Sequence, residues 1–193
     1  MANFTELMEN NVRDNNALLL HIQTRFTQSE ADGLTKDELG RIEAMNKEIV
    51  KMKENAVTMD FGRDADKQGV VDACREITAR CSADPQSNQF ICLDNVFGNG
   101  MTSHKDLVDN LLQNRTLPTG EILPDNAVIM MTMEDYDTNN EEVASNLEKY
   151  KDKVESLCGG FVDIPRVPTE KDLSDMSRTI TALQSCKEVS MDP

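Results

Sequence analysis

Two short apolar runs in this sequence end on groups that can handle charge. Phe90-Ile91-Cys92-Leu93 leads into Asp94-Asn95, and Val128-Ile129-Met130-Met131 leads into Thr132, followed by Glu134, Asp135 and Asp137. Asp60 follows a third such run, Ala56 to Met59, and Asp163 lies within a fourth, Phe161 to Ile164. Carboxylates gathered in one place could hold a hydrated magnesium ion, which favours their oxygens. A chain this acidic also carries carboxylates on any exposed loop end, so each acid taken singly reads as an ordinary surface charge. Two stretches that look like calcium loops fail on spacing. Asp64-x-Asp66-x-Gln68-Gly69 would place Arg75, and Asp135-x-Asp137-x-Asn139 would place Asn146, where a bidentate glutamate is required. Gly98-Asn99-Gly100 through Ser103 precedes a helical pattern and could offer amides to an anion, but a lone pair of glycines reads first as a plain turn. Cys74 and Cys81 share a stripe with Val70 and Ile77 and read as small core residues. His21 and His104 have no partner at zinc-ligand spacing.

The elements that must position these groups are of two kinds. Leu18 to Ile22, Ala56 to Met59, Phe90 to Leu93, Ala127 to Met131 and Phe161 to Ile164 are short and continuously apolar, as strands buried on both faces of a parallel sheet are. Between them, apolar residues recur at helical spacing. The stripes are Leu39-Ile42-Met45-Ile49-Met52, Val70-Cys74-Ile77-Cys81, Val143-Leu147-Tyr150-Val154-Leu157 and Leu173-Met176-Ile180-Leu183. Thr35 with Glu38 and Thr138 with Glu141 are capping boxes; Ser103 with Asp106 and Thr169 with Asp172 are looser ones. The alternation predicts an α/β fold with a five-stranded, mostly parallel sheet flanked by helices. The first strand has a competitor, because Met8, Val12, Leu19, Ile22 and Phe26 also fit a helical face. One domain is expected over residues 16–193, preceded by an acidic arm or short helix over residues 1–15. In such a sheet ligands bind beyond the carboxyl ends of the strands, which is where the acids above fall.

Composition narrows the function. The 193 residues hold 20 Lys and Arg against 35 Asp and Glu, a net charge of −15. A phosphate backbone or an anionic membrane needs a positive face, so neither is expected as a direct partner. No apolar run approaches the ~20 residues that span a bilayer, and the N-terminus lacks a secretory pattern. Five scattered cysteines without a Cys-x-x-Cys pair suit a reducing, cytoplasmic setting.

From Phe90 to Asp137 the sequence resembles the stretch between Walker B and the first sensor of AAA+ ATPases of the MoxR and Clp types. Phe90-Ile91-Cys92-Leu93-Asp94 is similar to a Walker B strand. A helix ending in Leu111-Leu112 leads to Arg115 and the turn at Gly120, and Thr132 closes a strand like the one that carries the sensor. The resemblance implies a P-loop NTPase core, with Leu18 to Ile22 feeding the phosphate loop and the helix from Thr35 following it; a complete lid does not fit in what remains. It also implies site residues: Asp94 as the metal-binding aspartate, Asn95 and Thr132 at the catalytic-neighbour and sensor positions, and Lys36 as the phosphate-loop lysine. The departures are as telling. Glu30 and Thr35 stand where the loop needs glycine, Asp37 where it needs a hydroxyl, Asn95 where a glutamate would accept a proton, and Arg166 is the nearest basic residue to an arginine finger.

The expectation is therefore a non-hydrolysing AAA+-like module that binds proteins as a subunit, adaptor or regulator of a larger assembly. Its partners would be AAA+ relatives or further copies of itself, and no cofactor is expected. The alternative is a divergent ATPase that binds ATP with magnesium through Lys36, Asp94 and Thr132. An acidic mimic of nucleic acid is a third reading, although acids interspersed with lysines, as in Glu148 to Lys153, are those of an ordinary solvated face.

Overall fold

All five continuous apolar runs form strands, and all five strands join one parallel sheet in the order β2-β3-β4-β1-β5. The computed structural model describes residues 17–24, 26, 28–61, 67–97, 105–117, 120–134, 141, 145, 148–150, 152–153, 156 and 158–185. In chain order the elements are β1 (Ala17–Ile22), α1 (Gln28–Ala31), α2 (Lys36–Asn55), β2 (Val57–Asp60), α3 (Lys67–Ala83), β3 (Gln89–Asp94), α4 (Lys105–Asn114), β4 (Ala127–Glu134), β5 (Cys158–Ile164) and α5 (Glu170–Ser185). The architecture is α/β, consistent with a P-loop-like fold. The proposed arm over residues 1–15, the turn at Gly98 to Ser103, and Asp64, Asp66, Asp135 and Asp137 lie outside the described residues.

The helical alternative for the first run fails because β1 pairs on both sides, with β4 through Leu18↔Met130 and with β5 through Leu19↔Phe161. A central strand satisfies its backbone groups in two ladders, which a helix at the same place could not do for its neighbours. Alternation then sorts its side chains. Leu19 joins Met59, Ile77, Ile91, Val108 and Met131 on the face covered by α3 and α4. Leu20 and Ile22 join Met45, Ile49, Phe90, Met130 and Met176 on the face covered by α2 and α5.

Two helix starts follow their capping signals; Ser103 and Thr138, which head the other two signals, lie outside the described residues. Thr35 accepts from the Glu38 amide at 3.1 Å while Glu38 accepts from the Thr35 amide at 2.9 Å. Thr169 and Asp172 form the same reciprocal pair ahead of α5, tighter than the sequence suggests. Four of the five stripe residues of α2 are buried; Leu39 is not, and stands 37% exposed. The reason is placement. Asn46 is tied to Thr24, two residues past β1, through a 2.6 Å bond from the Thr24 hydroxyl. Ten residues of helix precede Asn46, so α2 begins ~15 Å along its axis from that tie and extends past the sheet's carboxyl edge.

Candidate functional site

The carboxyl edge of the sheet gathers three of the residues singled out in sequence. Thr132 is fully buried. Its hydroxyl donates to Asp94 Oδ1 at 2.6 Å and accepts the Asn95 amide at 2.8 Å, and its carbonyl accepts the Val96 amide at 2.9 Å. Asn95 adopts φ 53°, the left-handed region that asparagine tolerates better than most residues. That turn sends Val96 and Phe97 into the core, at 0% and 1% exposure. Asn95 therefore works as the turn residue that lets β3 stop beside Thr132.

A fourth residue completes the cluster, and the sequence reading did not single it out. Lys53, near the end of α2, places its ammonium 2.8 Å from the same Asp94 Oδ1; the two side chains are 19% and 15% exposed. Asp94 thus accepts from an ammonium and a hydroxyl at one oxygen. Asp60 stands opposite Asp94 in the β2–β3 register. Beneath them Cys92 is buried, and burial pushes its thiol up to about 12; Asp94 and Asp60 push the same way, and Lys53 opposes them. Such a thiol stays protonated and inert. A signal for Lys53 does exist in the sequence. It falls three and four positions after Val50 and Ile49, on an apolar flank of α2, where a charge must find a partner inside the protein.

Lys36 is not brought to this cluster. It lies exposed at the first turn of α2, ~25 Å along the helix axis from Lys53, more than the two extended side chains can close. Among the described residues before α2 and in its first turn, five backbone amides have acceptors within the protein. The amides of Asp32, Gly33 and Leu34 donate to the carbonyls of Gln28, Glu30 and Ala31, and those of Thr35 and Glu38 are used in the capping box. Gly33, the one glycine there, lies against the Glu30 carbonyl without a positive φ. These five amides are thus committed to the protein's own oxygens rather than left open to an anion.

The remaining candidates have structural partners. Asp163, on the far edge strand β5, pairs with His21 at 2.7 Å and does not join Asp94 and Asp60. The expected gathering of acids is thus split across the sheet, and among the described residues no three His, Cys, Asp or Glu lie close enough to hold a metal ion. Arg166 pairs with Glu30 and lies over the Phe26 ring, 4.2 Å from its centroid. Arg115, at φ 51°, donates to the carbonyls of Pro124 at 2.8 Å and Ala127 at 2.9 Å, fastening the loop ahead of β4; burial draws its pKa below the usual arginine value.

Beside the cluster a cavity of about 410 Å³ opens between α2 and the segment that follows β1. Ile22 and Phe26 form one wall, Leu39, Ile42, Ile49 and Val50 the other, and the Lys53 side chain closes one end. Among the described residues no helix is long and apolar enough to cross a membrane. No protein-family model matches this sequence, and a search of curated proteins finds no match.

Proposed function

We propose that this chain is a non-hydrolysing AAA+-like module that acts by binding other proteins, as a subunit, adaptor or regulator of a larger assembly. The reading draws on the strand order, which sets Asp94 and Thr132 side by side on β3 and β4, with β4 next to β1. A Walker B and sensor pair would have to stand so to face a loop after β1. The observation that carries the non-hydrolysing part is the occupation of Asp94. Lys53 and Thr132 both bond Asp94 Oδ1, so the carboxylate already carries a cation and a hydroxyl donor, while Lys36 is held apart at the far end of α2. A built-in ammonium supplies at Asp94 the positive charge that a nucleotide-bound cation would otherwise bring. What the fold then offers is a rigid sheet with exposed helix faces, and a net charge of −15 that favours basic partner surfaces.

The test has two arms. Thermal melts with millimolar ATP and magnesium are expected to match melts without them. Binding at a hundredfold excess over the dissociation constant would add ~2.7 kcal/mol, or about 5–10 °C in a chain of this size. A reproducible rise of that order, lost in Lys36→Ala, overturns the reading in favour of the ATPase. Pull-downs read by mass spectrometry and light scattering supply the second arm: defined complexes are expected, and a chain that forms none argues against a binding role.

A further inference from the structure

Helix α2 carries an unpartnered face whose pattern is complementary to itself. Among the described residues the large apolar side chains left exposed are Leu39, Val50 and Ile122, and the first two, at 37% and 51%, stand on one side of α2 at the lip of the groove. Next to them along the helix run Lys36, Glu43, Lys47 and Glu54. Their spacings of seven, four and seven keep all four on one flank. All are exposed, and none has an ion-pair partner among the described residues.

The order of charge along this flank is plus, minus, plus, minus, which reads as its own complement when reversed. Lys36 and Glu54 stand nine positions either side of Met45, and Glu43 and Lys47 two positions either side. Two copies of α2 laid antiparallel about a two-fold axis at the level of Met45 would set Lys36 against Glu54 and Glu43 against Lys47, each twice. Leu39 and Val50, six and five positions from the same centre, would cover one another across the axis. A parallel placement would instead stack each charge on its like, which is repulsive. A two-fold contact requires one patch to match itself, and this flank does so in charge and in apolar content together.

We infer that α2 is a homodimerisation surface on which a second copy of this chain docks antiparallel, with its own Leu39 and Val50 closing over the groove. The inference is independent of whether Asp94 serves nucleotide chemistry, because none of these side chains touches Asp94. Its test is sedimentation equilibrium and light scattering of the full chain at physiological salt across the micromolar range. A concentration-dependent monomer–dimer equilibrium is expected. Glu43→Lys and Lys47→Glu each turn two attractions into repulsions and should weaken the dimer about tenfold or more. The double exchange restores opposite signs and should return dimerisation close to that of the unaltered chain. Val50→Asp, at an exposed position that leaves the fold intact by circular dichroism, should abolish it. A monomer throughout the range, a dimer indifferent to Val50→Asp, or a double exchange no better than the single changes would each overturn the inference.

Discussion

Replacing Lys53 with Met tests the Asp94 cluster most directly. The change keeps much of the apolar stem along the groove and removes only the charge, leaving Asp94 with the Thr132 hydroxyl as its remaining donor at Oδ1. Breaking a fully buried ion pair by deleting one partner costs ~3–5 kcal/mol. At 19% and 15% exposure these side chains admit some water, so a loss of about 2 kcal/mol is the better figure. For a chain of this length that corresponds to a fall of about 4–8 °C in Tm. Asp94→Asn should cost a similar amount, because Lys53 then loses its carboxylate while Thr132 keeps an oxygen to bond. The double variant carries neither charge and should lose less than the sum of the two, by ~1 kcal/mol or more. Guanidinium unfolding of all four proteins measures the cycle. Strict additivity, or a Lys53→Met variant as stable as the unaltered chain, would mean that the pair is solvated and that Lys53 is not the resident counter-charge of Asp94.

Two further outcomes follow from the same geometry. The two N–H bonds of the Asn126 amide are shared among the carbonyls of Cys81, Asp84 and Ser87, all 3.0–3.2 Å away, so Asn126→Ala should free the end of α3 and cost about 2 kcal/mol in guanidinium unfolding. Hydrogen bonds from the Thr35 amide and hydroxyl region hold the Glu38 carboxyl below its usual range. Its stabilisation is therefore complete above the ordinary glutamate pKa and fades as pH falls through the lowered one; Glu38→Gln should flatten that part of the acid limb in melts taken from pH 6 downward.

The fold was legible because its strands are continuous apolar runs, and a parallel sheet buried on both faces tolerates nothing else at Leu19, Leu20, Ile91 or Met131. Helix starts were legible for a local reason, since Thr35 and Glu38 are three residues apart and satisfy one another whatever the rest of the chain does. The candidate site was only half legible. Asp94 and Thr132 stand out at strand ends, but their 2.6 Å bond spans 38 residues of sequence. The arrival of Lys53 depends on how far α2 slides along the sheet, and no local pattern encodes that slide. The same slide explains why Leu39, an apolar stripe residue in sequence, emerges exposed. Lys36 invited a phosphate role by sequence position, but where it stands depends on helix length, at 1.5 Å per residue.

The position of β1 has a consequence for how the chain is made. It leaves the ribosome before the other four described strands, yet both of its neighbours come late: His21 meets Asp163 across 142 residues, and β4 arrives roughly a hundred residues after β1. Until then Leu19-Leu20-His21-Ile22 has no ladder on either side, and an unpaired apolar strand is a template for the wrong partner. During synthesis β2, β3 and β4 can pair in turn as they emerge, because consecutive members are adjacent in both sequence and sheet. The sheet should therefore grow from β2, β3 and β4, and the last productive event is the insertion of β1 between β4 and β5. Such an order of pairing keeps an apolar strand edge open for longer than in a fold whose first strand pairs with its second, and it is in that interval that aggregation competes with folding.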